Sequence, residues 1–406
     1  MDTSEDPVSL NITSVLRLRT VDDPWLPKLK TFECEEITEA FIPSIPLFLS
    51  PTTTEITIDF VEDIPIMVVA STIARLPQLC PDLESITIDD LPRHPIVTEA
   101  VSEMLLACNR DTLQKFYVDS PLTKKAREVV CRLPRLSNLW VVIQGPTSLP
   151  TVALSNLTSI DVEYDDDLNW LQGFRGATLE KLDSVSFRSE SNRIGDFIGA
   201  FERVALTTSC QSALSEFGFY TSRSWNPNYS SLLSFNQLKE VEIQFSCKGG
   251  CSSKVDDDTI MSMARAMPKL EVLRLGDTPC KTPIGITANG LIGLARLCPH
   301  LSKLCVHFQA TSLVKAATCA TIQFPSDGNP VNRREDCALT DLEVGRIHIP
   351  VQSGLAVALI LLQIFPRILN IKYTDQGWKT VAEIVNDFGR IGTFVHHTGE
   401  MHPTHA

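Results

Sequence analysis

The sequence predicts an α/β solenoid, with short parallel strands lining a concave face and one helix per strand on the convex face. Three observations carry that expectation. One phrase recurs six times: a proline, any residue, a leucine or isoleucine, then apolar residues three and five positions after it, at residues 27–34, 81–88, 134–141, 268–275, 299–306 and 366–373. Copies without the proline keep the same register at 113–118, 157–162, 182–187, 214–219, 238–243 and 339–344, with 53–58 a weaker copy that has Thr53 in the first slot. Segments of helical period lie between the copies. A unit that returns at a fixed interval and cannot bury its own apolar face must stack on its neighbours.

Each part of the phrase has a physical reason. Proline lacks an amide donor and disfavours helix in the residue before it, so it ends the preceding helix. The apolar-x-apolar ending has the two-residue period of a strand. The opening apolar positions are 29, 53, 83, 113, 136, 157, 182, 214, 238, 270, 301, 339 and 368. The longest gap, 301 to 339, holds Ser326, Asp327, Gly328, Asn329 and Pro330 and reads as an insertion loop. Residues 12–18 read as a degenerate first repeat.

The helical segments, in order, are 64–75, 96–108, 123–132, 168–174, 194–206, 259–267, 286–298, 353–365 and 378–390. Asp165 to Asp167 and Asp256 to Asp258 precede two of them, where carboxylates accept from free amides at the positive end of the helix dipole. One strand alternating with one helix requires parallel pairing and right-handed crossovers. The expected organisation is a cap over 1–28, one elongated repeat domain over 29–392 and a flexible tail over 393–406.

Composition agrees with one large core. The chain has 406 residues, 43% of them hydrophobic, and a net charge of −13. That charge argues against nucleic acid as a main partner, because phosphate binding needs basic density. Met1 to Pro7 shows neither a basic start nor an apolar stretch, and residues 355–365 are too short to span a bilayer. The expectation is a cytoplasmic or nuclear protein without membrane contact, monomeric on its own.

Chemistry-bearing patterns are sparse. Of 12 cysteines, Cys80, Cys108, Cys131 and Cys298 sit where a repeat closes and read as small apolar packing groups. Cys247 and Cys251 are a close pair with no second pair nearby, a weak zinc signal beside the plainer reading of two thiols in a glycine-rich loop. Gly249 to Lys254 lacks the spacing and the following Ser or Thr of a phosphate loop. His396, His397, Glu400, His402 and His405 cluster near the end, without the adjacent His-Glu of a metalloprotease. No enzyme activity, cofactor or metal is expected.

Function is sought on the strand positions between the apolar ones, which face the open side. That lining includes Asp89, Asp119, Asp161, Glu163, Arg188, Glu240, Glu242, Arg274 and Glu343, and acidic members predominate. One reading is that this face recruits a basic segment of another protein; the plainer one is that an acidic chain is acidic on every face. Tyr117, Trp140 and Tyr220 fall on the same lining and suit interface anchoring. A packing role for Trp140 is the alternative.

The Cys-Pro-x-Leu-x-x-Leu-x-Leu wording of 80–88 and 298–306 resembles the irregular leucine-rich repeats of F-box/LRR proteins, over about residues 10–390. The resemblance implies a ribonuclease-inhibitor-like horseshoe whose repeats hold the substrate of a cullin ubiquitin ligase. In that family an N-terminal F-box docks a Skp-type adaptor. Here the repeats begin almost at Met1 with no Leu-Pro-x-Glu-like helix before them, so the adaptor is expected only if an F-box is missing from this chain. The other reading is a free-standing regulator or inhibitor-type binding protein.

Overall fold

The structure, a computed structural model, describes residues 25–61, 64–144, 152–164, 168–174, 177–189, 197–208, 210–222, 228–245, 255–276, 285–318, 337–344, 347, 349–373 and 375–398. Thirteen strands follow one another in sheet order, β1 to β13. They are β1 (Thr31–Ile37), β2 (Glu55–Phe60), β3 (Ser85–Asp89), β4 (Lys115–Pro121), β5 (Asn138–Ile143), β6 (Ser159–Tyr164), β7 (Ser184–Ser189), β8 (Glu216–Thr221), β9 (Glu240–Phe245), β10 (Val272–Leu275), β11 (Lys303–Val306), β12 (Asp341–Glu343) and β13 (Asn370–Lys372). Every strand opens two residues after an opening apolar position, from Leu29 and Thr31 to Ile368 and Asn370. The intervening carbonyl region ties one repeat to the next. Thr54 O accepts from Glu84 N and Ser85 N at 2.8 and 3.1 Å, and Ser215 O from Lys239 N and Glu240 N at 2.7 and 3.0 Å.

The helices are α1 (Ile45–Phe48), α2 (Ile66–Leu79), α3 (Pro95–Ala107), α4 (Lys124–Val130), α5 (Phe197–Thr208), α6 (Asp257–Ala266), α7 (Ala288–Leu297), α8 (Ala310–Thr318), α9 (Gly354–Ile364) and α10 (Gly377–Thr398). The chain divides into two compact units, Met1–Val142 and Ile143–Ala406.

In the first unit, parallel pairing sets Phe32, Ile56, Ile86, Phe116 and Leu139 level across β1 to β5, all buried. Helices α2 and α3 pack side by side, and α3 also packs on β4. His94 caps α3, its Nδ1 accepting from Ile96 N at 3.2 Å, and Pro95 occupies the first helical position, where no amide is needed. Thr123 caps α4.

In the second unit, Ile160, Val185, Phe217, Val241, Leu273, Leu304, Leu342 and Ile371 form one level row across β6 to β13. A second row runs through Val162, Phe187, Phe219, Ile243, Leu275 and Val306. Aromatic rings thicken the core beneath β7 and β8: Phe187 lies 4.7 Å from Phe197 and 5.2 Å from Phe201, centroid to centroid. Asp256 caps α6, its Oδ1 accepting from Thr259 N at 2.9 Å, as the acidic run suggests. Asp257 reaches the next repeat, accepting from Thr287 N and Oγ1 at 2.7 and 2.6 Å. Thr287 in turn caps α7.

One helix expected over 168–174, and one connection for which no helix was expected, take a tighter form. Residues Asn169–Phe174 and Tyr229–Ser234 are 3-10 helices, lying within the short spacings 157 to 182 and 214 to 238. Helices α1 and α8 were not expected; α8 occupies the start of the long 301–339 gap. Helix α10 continues past residue 390 to Thr398. Residues 12–18, Asp165 to Asp167, Ser326 to Pro330 and most of the cap lie outside the described residues. Among the described residues no helix is long and apolar enough to cross a membrane.

Candidate functional site: the polar face of the sheet

Burial alternates along most strands, as in β2, β3 and β9, so the sheet has one buried face and one face of half-exposed polar side chains. Because the strands pair parallel and in register, residues at one place in the phrase become neighbours although about 30 positions separate them.

In the first unit, Glu33, Thr57, Thr87, Tyr117 and Trp140 stand level. The rings of Tyr117 and Trp140 meet edge to face at 3.8 Å between centroids. Trp140 is only 5% exposed, and every β5 residue after Asn138 is buried. Its ring packs; it is not displayed to solvent. Asp59 and Asp89 stand level on β2 and β3, and Asp119 follows Val118, the partner of Ile88, on β4.

In the second unit, the middle position of the phrase gives Asp161, Ser186, Gly218, Glu242, Arg274, Cys305, Glu343 and Lys372, level from β6 to β13. Arg188 Nη2 is 3.4 Å from Asp161 Oδ2, and its guanidinium carbon lies 5.9 Å from the centre of the Tyr220 ring. The Tyr220 hydroxyl donates to Glu242 Oε2 at 2.7 Å. Arg274 then pairs with Glu242 through Nε at 4.0 Å and with Glu343 through Nη2 at 3.6 Å. A connected polar strip thus crosses β6 to β12.

Small residues make the strip possible. A Cβ at Gly218 would stand 2.9 Å from Tyr220 Cε2, so glycine there leaves the ring room to lie along the sheet toward Glu242. Cys305 lies between Arg274 and Glu343 in register and is short enough for the arginine to pass.

The electrostatics follow from enclosure. Burial pushes the Asp161 carboxyl up to about 6, and neighbouring Glu163 adds to this, against the lowering influence of Arg188 and Ser186. The Tyr220 phenol is raised by burial, then by its bond to Glu242 and that group's charge. Glu240 is level with Glu216 at the strand openings. Its carboxyl is raised by burial and by Glu216, Glu242 and Glu271, with Lys303 opposing.

Of the residues read from the sequence, Asp161, Tyr220, Glu242 and Arg274 join one network. Glu163 stands level with Arg188 beside it, and Glu240 lies at the strand openings. Asp89, Tyr117, Asp119 and Trp140 belong to the other unit. Gly218, Ser186 and Cys305 were missed, although each occupies the same slot of the phrase as its charged neighbours; reading that slot alone would have found them.

The thiols behave as packing groups. Burial pushes Cys80 to about 11 and Cys108, Cys131 and Cys298 to about 12. Cys298 Sγ points at the carbonyls of Ala264 and Met267 in the preceding repeat, at 3.8 and 3.7 Å. Among the described residues no group of three or more metal-ligating side chains assembles. Cys247, Cys251, the 249–254 loop, Glu400, His402 and His405 lie outside the described residues; His396 and His397 fall within α10.

No family model and no curated protein matches this sequence. Among solved structures, the chain is similar to one in the crystal structure of the Rad7 and Elc1 complex in yeast. The identity is 12%, covering 84% of this chain and 81% of that one, with a TM-score of 0.32. At that score the likeness carries no argument.

Proposed function

We propose that this chain is a non-catalytic protein-interaction scaffold whose second unit receives a segment of another protein along the strip from Asp161 to Glu343. The observation that supports this reading is the strip itself: charged and aromatic side chains from successive repeats, held by one another in fixed positions on the half-exposed face. Preorganised polar groups lose little freedom on binding, which is what an interface anchor requires.

The partner chemistry we assign is a basic segment. Burial raises the Glu240 carboxyl at the opening of β9, and the nearby Glu216, Glu242 and Glu271 add to this. An incoming Lys or Arg offsets these like charges. The strip's own cations, Arg188 and Arg274, already face carboxylates.

Substrate recognition for a ubiquitin ligase is the more specific form of this proposal, and it rests on the resemblance of the repeat wording to F-box/LRR proteins. A free-standing regulator is the alternative. Affinity capture with the full chain, in the presence of a Skp-type adaptor, separates the two. Joint capture of adaptor and a basic partner supports the ligase form; a basic partner without adaptor supports the regulator. Partners that bind equally well to a Glu240→Gln, Glu242→Gln double variant would overturn the strip as the receiving surface.

A further inference from the structure

Arg274 is shared between two carboxylates and held closely by neither. Its Nε lies 4.0 Å from Glu242 Oε1 on β9, and its Nη2 lies 3.6 Å from Glu343 Oε2 on β12. Both separations exceed a hydrogen bond, and Nε is shut off from solvent with no hydrogen bond on it. The guanidinium is stretched, because β10 adjoins β9 whereas β11 intervenes before β12. Moving toward one carboxylate lengthens the distance to the other. The three groups carry two negative charges and one positive, so the set is one cation short of balance. Tyr220 donates to Glu242 Oε2, which makes Oε1 the oxygen for which Arg274 and a newcomer compete. Arg274, Glu242 and Glu343 are 34%, 25% and 27% exposed, so a partner reaches them.

We propose that Arg274 is a built-in stand-in for the partner's basic residue: an incoming Lys or Arg takes Glu242, and Arg274 moves over onto Glu343. This rests on the basic-segment reading given above and divides the work within it. Glu242 receives, Arg274 yields, and Glu343 accepts what Glu242 releases. Before binding, Arg274 offsets part of the excess negative charge of the two carboxylates. After binding there are two cations for two carboxylates, and each pair closes to hydrogen-bond distance. The displaced arginine keeps a partner throughout, which avoids the cost of leaving a half-enclosed charge alone.

A double-mutant cycle on the full chain tests this, with fluorescent nonaarginine as the probe. Arg274→Gln removes the competitor, so the probe should bind about threefold to fivefold tighter. Glu343→Gln removes the place to which Arg274 moves, so binding should weaken by a similar factor. Once Arg274 is gone Glu343 has no such task, and adding Glu343→Gln to Arg274→Gln should change affinity by less than about twofold. Loss of a charge from the general field would weaken binding equally in both backgrounds, and that additive result would overturn the stand-in. A second readout needs no change to the binding face. In nitrogen-15-labelled wild type, the Arg274 Nε signal, assigned with Arg274→Gln, should shift as unlabelled nonaarginine saturates the chain. A signal that ignores the probe overturns the stand-in. If the probe binds and the cycle is additive, only the stand-in falls and the basic-segment reading survives. If nonaarginine binds neither wild type nor Arg274→Gln, both fall.

Discussion

The guanidinium of Arg274 lies 3.6 Å from the carboxylate of Glu343, although a whole strand separates them. Arg274 is on β10 and Glu343 on β12, and the residue between them in register is Cys305. Parallel strands stand about 4.8 Å apart, so only an extended Arg over a short neighbour bridges two spacings. The same Arg274 faces Glu242 on β9. One side chain thus spans four strands of the sheet, and its placement depends on its neighbours being small.

Replacing Arg274 with Gln should cost about 1 kcal/mol or less in urea unfolding, because the pairs are half-exposed and screened. Leu273 and Leu304, one residue away in the phrase, are 0% and 1% exposed. Leu304→Asp leaves an uncompensated charge in the continuous core and should cost roughly 3–5 kcal/mol. Equal losses for the two would contradict the assignment of faces.

Gly218→Ala should push the Tyr220 ring off the sheet and break its bond to Glu242. The readout is the phenol titration by difference absorbance. The Tyr220 value, raised in wild type partly by Glu242, should move toward that of an ordinary tyrosine. An unchanged titration would mean the ring does not depend on the glycine.

Asp257→Ala removes the acceptor of both Thr287 N and Thr287 Oγ1. The expected loss is about 1–2 kcal/mol, the range for a helix cap. Hydrogen exchange should quicken at the start of α7, in the repeat after the mutated one. Faster exchange confined to α6 would show that the contact does not couple the two repeats.

Asp161 gives a pH dependence with a definite sign. Its carboxyl is raised from 3.8 to about 6 on folding, so the folded state holds the proton more tightly than the unfolded chain. This group therefore stabilises fully below about pH 4, and that stability is lost as pH rises through 6. Relative to wild type, Asp161→Asn should gain stability between pH 4 and pH 7, by about 3 kcal/mol at most. A difference that stays flat with pH would show that Asp161 titrates normally.

Buried thiols should resist alkylation. At pH 8 the native protein should leave Cys80, Cys108, Cys131 and Cys298 unmodified by iodoacetamide, because the thiolate is the nucleophile and burial suppresses it. Half-buried Cys34 should react first among the described cysteines. Mass spectrometry of the alkylated peptides reads the order.

The sequence by itself determined where each strand lies, each opening two residues after an apolar position of the phrase, and that the apolar positions of the phrase are buried. That information is local: a helix-stopping proline or turn, an opening apolar residue and a two-residue alternation all lie within eight positions. Helix α8 escaped notice because the phrase is silent between 301 and 339, and α1 because four residues are too few to show a period. What the tertiary structure alone decided is which side chains meet. Trp140 is a packing group because β5 is covered on both faces, and no alternation within the strand announces that. Arg274 finds Glu242 and Glu343, and Tyr220 finds Glu242, only because parallel pairing sets residues from separate repeats side by side. Strand position is written in short-range pattern; the strip on the sheet face is written in register, and register exists only once the repeats have stacked.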